Sequence, residues 1–214
     1  MCGIFGYYHR DGRSLEADVL AVMGDAIRHR GPDDRGVYAT KGMAIGNQRL
    51  SIIDLQGGHQ PFVSDDGQII VVQNGEIFNH IELAQDLARA GHPCRTHSDT
   101  EVLLRLYESE GMGFLHKLNG MFAFAIWNES EQLLFAARDR FGEKPLYYSW
   151  QGSGGEAAFI FGSELNALKQ HPSFEGEISR ASLCLFMRYG YVPGPHSIFC
   201  GIYKMMPGTL LQVS

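Results

Sequence analysis

Short apolar runs that read as strands lie on both sides of two consecutive central segments with helical spacing, with further helical patterns after the first strand and before the tail. Cys2 to Tyr8 is apolar, bounded by Gly12, and predicts a buried first strand. After Ser14, the residues Leu15, Val19, Val22, Met23 and Ile27 share one helical face, so a helix capped by Ser14 is expected. It must stop before His29-Arg30-Gly31-Pro32-Asp33, a charged glycine–proline breaker. Strand-like segments at Gly36–Thr40 and Met43–Ile53 precede a loop at Gly57-Gly58. Ile69 to Val72 is an aliphatic run that reads as a strand covered on both faces, and Asn74-Gly75 follows at its end. Ile81 to Ala90 predicts a helix closed by Gly91. Ser98-Asp99-Thr100-Glu101 matches a capping box ahead of the periodic Val102, Leu103, Leu106 and Tyr107. Strands then return at Met121–Trp127 and Gln132–Arg138, around a polar turn at Asn128–Glu131, and at Pro145–Tyr148 and Ala157–Phe161. Short helices at Glu164–Lys169 and Ala181–Arg188 lead into a tail punctuated by glycine and proline.

Strands, two consecutive helices, then strands again is not the alternation of a doubly wound parallel sheet. It predicts an α+β fold with antiparallel sheets covered by helices, in one domain over residues 1–214. Composition narrows the class. With 44% hydrophobic and 20% charged residues the chain is not disordered, and its net charge of −6 argues against a nucleic-acid partner. No apolar stretch approaches the roughly 18–20 residues that span a bilayer, and no signal-peptide pattern opens the chain. The four cysteines (Cys2, Cys94, Cys184 and Cys200) follow no framework spacing, which suits a reducing compartment and makes the cytoplasm the expected location. His92, Cys94 and His97 lie close together but lack a second pair at ligand spacing, so no metal is expected. Ser153-Gly154-Gly155-Glu156 has the composition of a phosphate loop without a following helix, and reads as a surface turn with no nucleotide site.

The candidate chemistry starts at Cys2. Removal of Met1 would leave a thiol and a free α-amine on one residue. Ordinary thiols and α-amines titrate close together, so moving a proton from sulfur to nitrogen costs only about 1 kcal/mol. Such a residue has the makings of a nucleophile with its own general base, whereas a lone cysteine in an apolar run equally suits a small buried hydrophobe. Attack on an amide also needs a clamp for the substrate and donors for the oxyanion. Arg49, within Gln48-Arg49-Leu50-Ser51-Ile52-Ile53-Asp54, has the planar fork that suits a carboxylate, although a lone arginine on a strand also suits a surface. Asp99 is an acid at a helix start, where it favours the helix dipole and could also receive an ammonium. Asn74 supplies a side-chain N–H, and Gly75 a backbone N–H that a ligand can approach closely.

The segments MCGIFG (1–6), RHRGPD (28–33), QRLSIID (48–54), GGHQP (57–61), NGEIFNH (74–80), SDTE (98–101), GMFAFAIW (120–127) and RDRFGEKPLYY (138–148) together resemble the class II glutamine amidotransferases of the N-terminal-nucleophile type. RLSIID, NGEIFNH and DRFGEKPLYY look like the glutamine-hydrolysing asparagine synthetase branch, as does the tail from Tyr189 to Leu211. Met205-Met206 departs from the Leu-Pro expected there. The resemblance implies an αββα four-layer sandwich of two mainly antiparallel sheets, with Cys2 as nucleophile and L-glutamine as substrate. It implies Arg49 on the glutamine α-carboxylate, Asp99 on its α-ammonium, and Asn74 with Gly75 as the oxyanion hole. Leu50, Ser51, Ile52, Ile53 and Glu76 would line the pocket, and Arg30 and Gly31 would close over it. No cofactor is expected for this domain; ATP and magnesium belong to a synthetase domain, in cis in such enzymes and absent from this chain. A homodimer is the one assembly entertained. The alternatives are a glutaminase domain serving a sugar or peptide acceptor, and a retired structural or regulatory module.

Overall fold

The computed structural model describes residues 1–15, 17–154 and 157–214. Of the stretch read as a surface turn at 153–156, Gly155 and Glu156 lie outside the described residues.

The strands, numbered in chain order, form two antiparallel sheets. One has six strands in the order β10 (Tyr203–Lys204), β8 (Tyr147–Gln151), β9 (Ala158–Gly162), β1 (Gly3–Tyr8), β3 (Met43–Arg49) and β2 (Asp34–Thr40). The other has five, in the order β11 (Leu210–Val213), β7 (Leu133–Arg138), β6 (Gly120–Asn128), β5 (Ile69–Ile77) and β4 (Phe62–Val63).

Alternation along the strands builds the layers, because successive side chains point to opposite faces. Ile4 and Tyr8 of β1, Met43 and Ile45 of β3, Ile70 and Val72 of β5, and Ala123, Ala125 and Trp127 of β6 all enter one buried cluster between the sheets. The intervening residues face helices. Phe5, Tyr7 and Ala44 pack with Leu20, Met23 and Ile27 from α1 (Ala17–Asp25) and its C-terminal extension, and with Ala167 and Leu168 of α4 (Leu165–Leu168). Phe122, Phe124 and Ile126 pack with Leu83 and Leu87 of α2 (His80–Arg89) and with Val102, Leu103 and Leu106 of α3 (Asp99–Glu110). The order is therefore helix, sheet, sheet, helix, the expected αββα sandwich.

Several local expectations shift. Val22 is exposed and Leu20 is buried in its place, so α1 is rotated from the face read in the sequence. Ser14 bonds to Thr40 and Gly42 of the β2–β3 turn. β3 stops at Arg49, four residues before the predicted Ile53, and residues 50–53 run as irregular chain. β5 does not end before Asn74-Gly75. It continues to Ile77 because β6 is long enough to pair with it throughout, with Asn74 opposite Ala123 and Gly75 opposite Phe122. The capping box is half formed: Ser98 accepts from the Thr100 N–H, but Glu101 turns to the N–H groups of Arg95 and Thr96. The final helix, α5 (Arg180–Tyr189), follows the predicted span closely.

Candidate active site

Strand parity brings the predicted residues together. Cys2 precedes β1 in phase with Ile4, Arg49 ends β3 in phase with Met43 and Ile45, and Asn74 follows Ile70 and Val72 along β5. All three therefore belong to the layer between the sheets, where polar side chains replace the apolar cluster at one end. The β1–β3 register, with Gly3 opposite Gln48, places Cys2 next to Arg49 and Leu50. Cys2 is half-buried, its Sγ 3.4 Å from the Leu50 nitrogen and 3.7 Å from the Leu50 oxygen.

These residues line one cavity of about 100 Å³, whose wall includes Cys2, Arg49, Asn74, Gly75, Glu76 and Asp99. Leu50, Ile52 and Ile53 also line it, whereas Ser51 does not; its N–H donates to Asp33. Met1 forms part of the same wall.

Arg49 is 5% exposed, and Nη2 donates to the carbonyls of Ile53 (2.9 Å) and Asp54 (2.7 Å). The guanidinium thus organises the chain that follows its strand. Asp54 extends this frame, accepting from the Gly57 and His97 N–H groups, and these bonds hold its carboxyl below the usual range.

Asp99 lies beyond the opposite face of β5, where α3 begins. Its Oδ2 accepts from Gln73 Nε2 at 2.9 Å and from the Ile77 N–H at 3.0 Å, at 5% exposure. Burial pushes its carboxyl above the usual range, although both hydrogen bonds oppose the shift. A charged carboxylate here gains from an incoming cation.

Asn74 is fully buried; Nδ2 lies 3.5 Å from Ser163 Oγ and Oδ1 has no partner among the described residues. Gly75 has φ +144°, and a Cβ there would lie 2.0 Å from the Met121 carbonyl oxygen, so β6 runs too close for any side chain.

The expected lid residues, Arg30 and Gly31, lie beside the strand ends that carry the site. Arg30 donates to the Cys2 carbonyl at 2.9 Å and to Glu164 at 3.0 Å, and Gly31 packs where a Cβ would come within 2.3 Å of the Gln48 backbone. Both are absent from the cavity wall. They anchor β1 and β3 from behind because the breaker segment crosses the outer side of these strand ends.

The sequence reading missed Gly58, Gln60, Ser98, Thr100, Met121 and Lys144 in the wall. Each lies inside one of the quoted motifs, so a signal was present without a role attached to it. Gln60 joins three elements: Oε1 accepts from the Gln73 N–H and Nε2 donates to Thr100. Among the described residues no group of three or more His, Cys, Asp or Glu is placed to hold a metal ion, and no helix is long and apolar enough to cross a membrane.

The profile of the glutamine amidotransferase domain matches residues 1–214. The chain belongs to that family. Similar sequences occur in two Bacillus subtilis proteins named glutamine-hydrolysing asparagine synthetases. Asparagine synthetase 3 is 37% identical over the whole of this chain and 35% of its own length; asparagine synthetase 2 is 42% identical over the whole chain and 29% of its own. Among solved structures, the glutamine phosphoribosylpyrophosphate amidotransferase of B. subtilis superposes with a TM-score of 0.65 at 26% identity, over 78% of this chain and 43% of that one. The chain thus spans about a third of the length of the curated relatives it matches.

Proposed function

We propose that this amidotransferase domain, residues 1–214, hydrolyses the side-chain amide of L-glutamine to glutamate and ammonia, with Cys2 as nucleophile once Met1 is removed. The observation that carries the reading is the single cavity into which Cys2, Arg49, Asn74, Gly75 and Asp99 converge from four separate segments. The free α-amine accepts the thiol proton, and the thiolate attacks the amide carbon. Asn74 and Gly75 donate to the oxyanion, where each such donor is worth about 10²–10³ in rate. As the tetrahedral adduct collapses, the amine returns the proton to the departing ammonia. Water then cleaves the γ-glutamyl thioester, releasing glutamate and restoring the thiol.

Specificity in this scheme comes from the far end of glutamine, with Arg49 on the α-carboxylate and Asp99 on the α-ammonium. A ligand lacking either charge leaves a buried partner uncompensated. Leu50, Ile52, Ile53 and Glu76 shape the wall between. The names and greater length of the relatives support a further step. In the full-length protein the ammonia passes to an ATP- and magnesium-dependent synthetase domain in cis, with aspartate as acceptor.

The test uses protein whose loss of Met1 is confirmed by intact mass. It should release ammonia and glutamate from glutamine in equal amounts, and Cys2→Ala should abolish both. Release by the Cys2→Ala protein at the wild-type rate would sink the mechanism.

A further inference from the structure

Lys144 has no role in the reaction as written, yet it lines the cavity with Cys2, Asn74 and Gly75 and is only 6% exposed. It sits in the connection between β7 and β8, and its backbone is held firmly. Arg138 Nε donates to the Lys144 carbonyl at 2.6 Å, and the Lys144 N–H donates to Asp139 Oδ2 at 3.2 Å. Asp139 forms no ion pair with the ammonium among the described residues, and its two oxygens also accept from the N–H groups of Phe122, Phe141 and Glu143. Among the described residues Lys144 makes no ion pair, and Nζ has one hydrogen-bond contact, to the Met1 thioether sulfur at 3.4 Å. A thioether is a weak acceptor, and a buried ammonium with nothing better is costly. Its one contact is with the residue that must leave for Cys2 to gain its α-amine.

We propose that Lys144 is a positioning residue of the mature N-terminus: with Met1 gone, its ammonium faces the new Cys2 α-amine and favours the uncharged, proton-accepting form. This rests on the glutaminase reading above. The physical reason is repulsion, since a nearby positive charge disfavours a second one. The other charged groups around the amine leave this role open. Arg49 of β3 is engaged by the carbonyls of Ile53 and Asp54, and Arg30 behind β1 is paired with Glu164, which also meets His29. Glu76 of β5 and Asp99 of α3 line the cavity and would act in the opposite direction, with Asp99 tied to Gln73 and Ile77. Lys144 is the cation of the wall that is bound neither to a carboxylate nor to backbone carbonyls.

The experiment compares processed wild type with Lys144→Met, Lys144→Gln and Lys144→Arg, each confirmed folded and free of Met1. Carbon-13-labelled cysteine lets NMR follow the ionisation of the Cys2 amine with no substrate present. In the two neutral variants the amine should titrate about one pH unit higher, with the arginine variant near wild type. The acidic limb of kcat/KM for glutamine should move by the same amount. An unchanged amine titration in both neutral variants overturns the proposal. A raised KM with an unmoved pH profile also overturns it, and makes Lys144 a substrate contact instead. Failure of the glutaminase reading looks different: processed wild type would release no ammonia, and the amine titration would still decide the part played by Lys144.

Discussion

Asn74 lies within β5 and Ser163 just past the end of β9 in the other sheet, yet Asn74 Nδ2 lies 3.5 Å from Ser163 Oγ. The same hydroxyl oxygen accepts from the Ile4 N–H at 3.0 Å, and the Ser163 N–H donates to the Ile4 carbonyl at 2.8 Å. One buried serine therefore joins the proposed oxyanion donor to the strand that carries Cys2. Because Ser163 keeps its own proton to give, a half-turn of the Asn74 amide would satisfy the orphaned Oδ1 and turn Nδ2 away from the serine.

Ser163→Ala should lower kcat for glutamine hydrolysis by about tenfold, through a looser Asn74 amide, and leave KM close to wild type. Steady-state kinetics with an unchanged kcat would reduce Ser163 to a packing residue.

Gly75→Ala should cost both stability and activity. The added methyl collides with the Met121 carbonyl, and φ of +144° is hostile to any L side chain. A loss of about 2–4 kcal/mol is expected in urea unfolding, with hydrolysis below about a hundredth of wild type.

Asp99→Asn should separate stability from function. The raised carboxyl means that the folded state holds its proton more tightly than the unfolded chain, so stability falls as pH rises from the ordinary carboxylate value through the folded one. Removing the charge should therefore leave the apo fold at least as stable as wild type at pH 7, with no gain below about pH 3.8. Glutamine KM should rise about 10- to 100-fold as the α-ammonium loses its partner. Thermal melts at the two pH values, with kinetics at neutral pH, check both parts.

A second pH effect lies away from the cavity. His171 is buried against Tyr7 and His9, and the Ser173 N–H donates to its Nδ1. Burial, then the charges of His9 and Arg13, bring its pKa down to about 3. The unfolded chain takes up this proton near pH 6.5 while the folded one does not. Stability should therefore fall as pH drops from about 6.5 toward 3, by about 1.4 kcal/mol per unit for this residue. His171→Phe should flatten that slope in urea titrations between pH 7 and 5; an identical slope would place the acid sensitivity elsewhere.

Arg49→Ala should raise KM about 100-fold with a smaller effect on kcat. It should also loosen the Leu50–Leu55 segment, whose carbonyls the guanidinium holds. Faster amide exchange across that segment would show the second role, and an unchanged KM would remove the first.

The local pattern determined much of this protein. Apolar runs located most of the strands, helical spacing identified α2 and α3, and the motifs singled out Cys2, Arg49, Asn74, Gly75 and Asp99, which the fold gathers around one cavity. Alternation even carried the site's assembly, since Cys2, Arg49 and Asn74 continue the phase of the apolar inter-sheet positions. Tertiary structure alone decided the rest. Arg30 reaches the Cys2 carbonyl and Glu164, Ser163 reaches Asn74 across 89 residues of sequence, and Lys144 reaches Met1 across 143. The reason is geometric: a strand's own sequence sets which face each side chain takes. Which side chains meet between two sheets depends on the register of several strands and on how the layers stack, and no local stretch of sequence contains both.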